Sequence, residues 1–140
     1  NKEIFFKDIC ISESLRLRAK NIVPCAHWIT PAIEPKRFDT RFFLAKVNVE
    51  QLASHDGFEL TESFWIKPED ALAQGEKGEF PIIFPTIKNL ESIRGFTDTE
   101  TLLNNKVEDQ NNIVTVEPKI FMQDGKMVLL MPGDEGYDDH

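Results

Sequence analysis

The sequence predicts an α+β domain, in which short helices pack beside a small sheet. Apolar runs typical of strands lie on either side of a central region that carries helix start and stop signals. Near the C-terminus, Asp124-Gly125 separates two alternating runs, Ile113 to Met122 and Lys126 to Met131, and this arrangement is a strong hairpin signal. A chain of 140 residues suffices for one compact domain, so we expect a single domain over residues 1–140.

The first half of the chain contains a helix, two strands and a stiff loop. Apolar spacing predicts a short amphipathic helix over Ile4 to Cys10, and a strand follows from Ile22 to Ile29. Pro24 within that strand indicates an edge position or a bulge. The loop Pro31 to Pro35 leads to a nearly continuous apolar run, Arg41 to Val47, which predicts a strand covered on both faces.

A third strand is predicted over Phe58 to Ile66. Alternation places Glu62 on the same face as Phe64 and other apolar side chains. Helix signals come next, with Pro68 to Gly75 as a short helix and Pro85 to Gly95 as a second. Thr97, followed three residues later by Glu100, has the form of a capping box for a third helix.

Charge and composition exclude several classes of function. A formal net charge of -8 disfavours binding to a nucleic-acid backbone, because such surfaces need clustered Lys and Arg. There is no apolar stretch near the roughly 20 residues that cross a bilayer, so we expect neither nucleic acid nor membrane as a partner. The net charge still allows the binding of a small anionic ligand that is accompanied by a metal ion.

The two cysteines, Cys10 and Cys25, form no Cys-x-x-Cys pair, which is typical of a reduced protein and indicates a cytoplasmic location. The chain starts at Asn1 without Met and without a targeting pattern. We therefore expect it to begin partway through a longer protein.

The carboxylates Asp56, Glu59 and Glu62 are the first candidate for chemistry. An acid on the apolar face of a strand is costly unless a metal ion, a hydrogen-bond partner or water compensates it. Partial burial would raise its pKa and make it a better base. The alternative is that this part of the strand lies beyond the sheet edge and that all three acids are solvated.

A second candidate is the polar set Arg37, Asp39 and Arg41, which alternates with apolar residues where the loop enters the strand. Two guanidinium groups on one face could bind phosphate or carboxylate in a bidentate manner. Alternatively, Asp39 pairs locally with Arg37 or Arg41 and holds the loop.

The aromatic and imidazole side chains give weaker signals. Trp28 and Trp65 fit core or rim positions better than base-stacking platforms. No zinc-ligand spacing joins His27, His55 and His140, so structural or solvated roles are expected for all three.

Several short motifs follow one another along the chain. They read Trp-x-Thr-Pro, Arg-Phe-Asp-Thr-x-Phe-Phe, Asp-Gly-x-Glu-x-x-Glu-x-x-Trp, Pro-x-x-Ala-Leu, Pro-Thr and Leu-x-Pro-Gly-Asp. They occupy Trp28 to Pro31, Arg37 to Phe43, Asp56 to Trp65, Pro68 to Leu72, Pro85-Thr86, and Leu130 to Asp134. In this order they resemble the C-terminal half of the Nudix hydrolases, in the branch that includes the peroxisomal coenzyme A diphosphatases and their bacterial relatives.

The resemblance implies a Nudix-type α/β/α sandwich and hydrolysis of a diphosphate bond in a nucleoside-diphosphate-linked compound, assisted by Mg²⁺ or Mn²⁺. Most metal ligands of the family come from its signature box, which contains Arg-Glu and Glu-Glu dipeptides. This chain contains neither dipeptide, so the box is absent, and its natural place lies upstream of Asn1. Glu62 or Glu59 resembles the additional acid of some members, which acts as a metal ligand or base.

The resemblance also suggests substrate contacts for Trp28, Arg37, Asp39 and Arg41. On this interpretation the chain is the C-terminal part of a hydrolase for a small nucleoside-diphosphate substrate, of which coenzyme A-like compounds are one class. Without the box it should be inactive alone. The alternative is a box-less binding or interaction module. In either case missing strands would expose apolar surface, which predicts a homo-oligomer or docking of a missing N-terminal segment.

Overall fold

A computed structural model describes residues 5–19, 22–47 and 54–139. Its helices are α1 (Phe6–Ser12), α2 (Pro68–Glu76), α3 (Phe84–Ile93) and α4 (Thr99–Asp109). Its strands are β1 (Ile22–Ile29), β2 (Asp39–Ala45), β3 (Thr115–Val116), β4 (Lys119–Gln123) and β5 (Lys126–Leu130). Short 3-10 turns follow at Gln110–Asn112 and Tyr137–Asp139. In these ranges no helix combines the length and apolarity needed to cross a membrane.

The strands form two sheets. In the first, β1 lies between β2, which is antiparallel to it, and β3, which is parallel to it. The second is the hairpin of β4 and β5, whose turn residues Asp124 and Gly125 both have positive φ, as a two-residue hairpin turn of this type requires. The predicted α+β class, with its mixed sheet, short helices and C-terminal hairpin, is confirmed.

The strand β1 has the predicted bounds, and its proline occupies a bulge. The register between β1 and β2 shifts between Pro24 and Ala26. A bulge tolerates proline because one residue there is left out of the hydrogen-bond ladder. Of the two interpretations from the sequence, the bulge is the correct one, since β1 is the middle strand of its sheet.

The strand β2 begins at Asp39, two residues earlier than predicted, and only one of its faces is covered. Its side chains alternate between exposed and half-buried along the strand. Phe42 is half-buried, whereas its neighbour Phe43 is 53% exposed. The prediction of cover on both faces was therefore wrong, because the side chains of one face, Asp39, Arg41, Phe43 and Ala45, are exposed.

The predicted third strand, Phe58 to Ile66, is also wrong. Asp56 Oδ1 accepts hydrogen bonds from three successive backbone N–H groups, those of Phe58, Glu59 and Leu60, at 3.0, 3.1 and 3.0 Å. This side chain turns the backbone at the start of the segment, and the bonds lower the pKa of its carboxyl, with the bond from Leu60 as the largest cause.

The rest of that segment has no strand partner among the described residues. A strand is stabilised by its ladder and by cross-strand packing, so apolar alternation alone does not create one. As a result Glu62 is exposed, and so are Phe64 and Trp65 beside it. The expected partial burial of Glu62 is not found.

The predicted helices are all present, with small changes at their ends. The first helix, α1, covers Phe6–Ser12; Ile4, with which the prediction began, lies outside the described residues. The helix α2 continues past Gly75 to Glu76. The cap of α4 is Asp98 and not Thr97, and Glu100, the expected partner in the capping box, instead bonds Lys46 on β2's C-terminal side.

The described chain buries few side chains. Those that are buried and apolar are Val23, Trp28, Ala71 and Leu72, whereas Phe58 is 94% and Trp65 76% exposed. The accessible surface is 11887 Å², compared with about 7,400 Å² for a compact monomer of this mass. Large apolar side chains that are exposed together in this way are typical of regions that contact further protein or a ligand.

The N-cap of α4 gives a test of the fold. Asp98 accepts bonds from the Thr101 N–H and hydroxyl, both at 2.8 Å, and these bonds, the backbone one first, lower the pKa of its carboxyl. A lowered folded-state pKa means that the carboxylate stabilises the protein above about pH 4 and loses this effect as the pH falls through the lowered value.

We expect Asp98→Ala to reduce the free energy of unfolding at pH 7, measured by urea denaturation. The difference in the free energy of unfolding between this variant and the wild type should become smaller at pH 3. Thr97→Ala, the control at the position predicted from the sequence, should leave the free energy of unfolding unchanged. Equal destabilisation by both variants would contradict the assignment of the cap.

A candidate polar site on one face of the sheet

Three side chains from three neighbouring strands meet on one face of the sheet. His27 of β1 lies opposite Arg41 of β2 and opposite Thr115 of β3. Its Nε2 is 2.6 Å from Asp39 Oδ1, and its Nδ1 is 2.7 Å from Thr115 Oγ1. The imidazole therefore bridges the two outer strands.

The partners of His27 determine where its proton sits. A carboxylate only accepts hydrogen bonds, so Nε2 carries the hydrogen that is shared with Asp39. In the neutral ring Nδ1 is then an acceptor, and the Thr115 hydroxyl donates to it. With 15% of its side chain exposed, against 55% for Asp39, the imidazole is held in a fixed orientation and supports a carboxylate that faces solvent.

The two arginines of the candidate set have different partners. Arg41 Nη1 lies 3.4 Å from Asp39 Oδ1, so local pairing of these two residues is confirmed. Arg37 does not pair with Asp39. Its Nε donates to the Thr30 carbonyl at 2.9 Å, and its Nη2 forms an ion pair with Glu117.

We call the group His27, Arg37, Asp39, Arg41, Thr115 and Glu117 the polar site. Asp39 and Arg41 occupy the same face of β2, as the alternation predicted, and Arg37 lies in the preceding loop. The side chain of Arg41 is 62% exposed, and its guanidinium holds one carboxylate oxygen at a long distance. It can therefore turn its remaining N–H groups toward an anionic ligand, whereas Arg37 already uses Nε and Nη2 for Thr30 and Glu117.

Trp28 lies on the opposite side of the sheet from the polar site, because neighbouring residues in a strand point to opposite faces. It is 6% exposed, meets Phe84 edge to face at 6.0 Å, and donates from Nε1 to Asn89 Oδ1 at 3.4 Å. This is the core position favoured by the sequence. The structure does not bring Trp28 together with Arg37, Asp39 and Arg41.

The acids Glu59 and Glu62 are exposed and are not drawn into the polar site. The described residues contain no group of three or more potential His, Cys, Asp or Glu ligands, although a divalent ion held by protein groups needs several oxygen ligands. The donors present therefore do not fit a complete metal site. His55 accepts a bond from the Gly57 N–H at 3.1 Å, which is a structural role, and His140 lies outside the described residues.

Sequence reasoning missed three members of the polar site, namely His27, Thr115 and Glu117. Thr115 and His27 are 88 residues apart, and only the parallel pairing of β3 with β1 brings them together. The available signal was the alternation of β1, which places His27 on the side away from Trp28. It does not reveal which strand lies beside it.

The bridging role of His27 can be measured with double-mutant cycles. The bond between His27 and Asp39 is short and partly shielded, so a coupling energy of about 1 kcal/mol is expected from urea unfolding of the His27→Ala and Asp39→Ala variants. The exposed contact between Arg41 and Asp39 should give less than about 0.5 kcal/mol in the matched cycle. Equal couplings, or the reverse order, would contradict this geometry.

Comparison with known proteins gives two curated relatives. The chain is 26% identical over 121 residues to nudix hydrolase 7 of Caenorhabditis elegans, covering 86% of this chain and 40% of that protein. It is 28% identical over 120 residues to acyl-coenzyme A diphosphatase NUDT19 of Xenopus laevis, covering 80% of this chain and 31% of that protein. The chain thus spans about a third to two fifths of the length of these relatives.

No protein-family model and no solved structure matches the chain, so the Nudix-type sandwich stays a prediction. One relative is named a nudix hydrolase and the other a diphosphatase, and each aligns with at least 80% of this chain. The similarity of this chain to the Nudix hydrolases, first indicated by its ordered motifs, is thereby confirmed.

Proposed function

We propose that this chain is the C-terminal part of a Nudix-type hydrolase that cleaves the diphosphate bond of a nucleoside-diphosphate-linked compound. The observation that carries the proposal is the ordered motif series from Trp28 to Asp134, together with similarity to two hydrolases over most of the chain. Compounds related to coenzyme A are the favoured substrate class, because one relative is an acyl-coenzyme A diphosphatase.

A divalent ion, Mg²⁺ or Mn²⁺, would supply neutralisation of diphosphate charge and acidification of the attacking water. The described donors do not make a complete site for this ion. We therefore propose that this chain contacts the substrate and that the metal ligands come from a Nudix box outside these 140 residues. Glu62 or Glu59 would add one carboxylate once that part is present. Both are exposed.

Within the polar site, each residue has a distinct proposed task. Arg41 binds phosphate oxygens through its free N–H groups, and Arg37 joins it after leaving Glu117. Asp39 orients Arg41, and His27 together with Thr115 fixes Asp39. Trp28 supports this face from the opposite side of β1 and takes no direct part in phosphate binding.

A binding or interaction module without catalysis is the second candidate. It is favoured by the apolar side chains that the described chain leaves exposed, among them Phe43, Phe58 and Trp65. Such a module would associate with itself or with another polypeptide. The two candidates differ in whether a protein that contains this chain hydrolyses a diphosphate bond.

The proposed function predicts which form of the protein is active. The purified 140-residue chain should release no measurable nucleotide product from coenzyme A in the presence of Mg²⁺ or Mn²⁺, followed by liquid chromatography and mass spectrometry. A longer natural protein that contains this chain and a Nudix box should hydrolyse coenzyme A under the same conditions, with loss of activity on chelation of the metal. Activity of the 140-residue chain would overturn the assignment of the metal site to the box.

Two further variants of that longer protein test one residue of the polar site and one exposed acid outside it. Arg41→Gln should raise KM about tenfold or more through the loss of a charged hydrogen bond to phosphate. Glu62→Gln should lower kcat by at least about tenfold if it acts as ligand or base.

Arg94→Gln and Glu69→Gln are matched controls, since both residues are exposed on helix ends away from the polar site. They should leave both constants within twofold. If Arg41→Gln behaves like Arg94→Gln, the phosphate-binding role is wrong. If Glu62→Gln behaves like Glu69→Gln, Glu62 is neither a metal ligand nor the base.

A further inference from the structure

The sheet of β1, β2 and β3 has two unlike faces and two outer edges. One face carries the polar site, and the other borders an apolar cavity of about 460 Å³, whose lining includes Trp28, Phe42 and Phe84. The edges are the outer sides of β2 and β3, because β1 lies between these strands. In the described ranges no further strand pairs with either edge.

The outer edge of β2 is the longer of the two. β2 has seven residues, whereas β3 has two. Its sequence contains no proline, so every residue can donate its backbone N–H group to a neighbouring strand. An unpaired edge of this kind presents a row of backbone N–H and C=O groups that can pair with a further strand. The edge of β2 is therefore a surface that another strand can extend.

Residues 61–66 have the composition of a strand but no strand partner among the described residues. Their sequence, Thr-Glu-Ser-Phe-Trp-Ile, is rich in the β-branched and aromatic residues that favour strands. The N–H groups of the three residues before them are already bonded to Asp56, and α2 begins at Pro68 just after them. The backbone available for pairing is therefore nearly the length of β2.

The side chains of the two segments complement each other in charge and in apolarity. Arg41 of β2 is 62% exposed, and Glu62 is an exposed acid. Two residues after Arg41 comes Phe43, which is 53% exposed, and two residues after Glu62 comes Phe64, which is 57% exposed. Because the spacing is the same, a parallel register that joins the opposite charges also joins the two rings. Cross-strand pairs of both kinds stabilise a sheet.

The length of β2 also favours the parallel direction. With Glu62 beside Arg41, a parallel segment 61–66 lies along residues 40–45, entirely within β2. An antiparallel segment with the same ion pair would run past Asp39, where β2 begins, and would lose part of its ladder. The parallel register therefore uses the edge of β2 more fully.

A second copy of the chain can supply this strand more easily than the same copy. In its own copy the segment leads directly into α2, and the ring of Phe64 lies 5.3 Å from that of Phe80, which holds the segment beside this helix. A parallel strand from the same chain would also need a crossover connection along β2. Two copies need no crossover, and a two-fold axis lets each copy donate its segment to the other.

We propose that two copies of this chain associate by strand exchange, with residues 61–66 of each copy added to the outer edge of β2 in the other. The interface goes beyond the proposed function and does not depend on hydrolysis. It brings Glu62 of the second copy beside Arg41 of the polar site, whereas a single copy leaves these two residues apart. A guanidinium has five N–H donors, so this contact leaves donors of Arg41 for a phosphate.

Charge reversal tests the ion pair between copies. Sedimentation velocity of the 140-residue chain at a series of concentrations gives the dissociation constant of the dimer. Arg41→Glu and Glu62→Arg should each raise this constant at least about tenfold, because each variant brings like charges together twice in the dimer. An equimolar mixture of the two variants should return it to within about threefold of the wild type, since both contacts of the mixed dimer again join opposite charges.

A second pair of variants tests the apolar contact without a change of charge. Phe43→Ser should raise the dissociation constant about tenfold, because it removes an exposed ring from the edge of β2. Phe58→Ser is the matched control, since Phe58 is 94% exposed but lies outside residues 61–66, and it should stay within about twofold of the wild type. Circular dichroism identifies any variant that fails to fold, and if Arg41→Glu does so, Phe43→Ser decides.

Three results would overturn the interface. The first is a wild-type chain that stays monomeric at every concentration. The second is restoration in the double variant Arg41→Glu/Glu62→Arg but not in the mixture of single variants, which would place the ion pair within one copy. The third is a Phe58→Ser variant that weakens association as much as Phe43→Ser, which would indicate non-specific apolar association.

The proposed function is tested separately, because association is measured without substrate or metal. A longer protein that hydrolyses coenzyme A, together with a 140-residue chain that stays monomeric, would refute the strand exchange and leave the proposed function intact. A dimer that follows the charge-reversal pattern, together with an inactive longer protein, would refute the proposed function and leave the strand exchange intact.

Discussion

The pairing of β1 with strands on both of its edges is the constraint on which the site and the cavity depend. Because side chains alternate along a strand, His27 and Trp28 must point to opposite faces of the sheet. The antiparallel neighbour then brings Asp39 to His27, and the parallel neighbour brings Thr115. One strand thus separates a polar, charge-bearing face from an apolar one that borders a cavity.

The loop between β1 and β2 links these two faces. Its backbone is closed by reciprocal bonds between Thr30 and Phe38, and within it Arg37 is bonded toward the polar site while Lys36 borders the cavity. The loop thus places one basic side chain at the polar site and another at the apolar cavity.

Local signals in the sequence predicted the secondary structure well wherever one residue type dictates the backbone. Asp124-Gly125 fixed the hairpin, and proline at a first turn marked the start of α2. The prediction failed for Phe58 to Ile66, where apolar alternation was present but no strand pairs with it in the described part of the chain. It also misplaced one cap. Thr97 and Asp98 are both good capping residues, and in the structure the N-cap of α4 is Asp98.

The sequence by itself determined the fold class, most element positions, the lack of a Nudix box and the likeness to Nudix hydrolases, since composition, turn chemistry and ordered motifs are local properties. It also singled out Asp39 and Arg41. Only the tertiary structure decided that His27 bridges Asp39 and Thr115, that Arg37 pairs with Glu117, and that an apolar cavity lies behind the sheet. These features depend on which strands become neighbours, and that choice joins residues up to 88 positions apart.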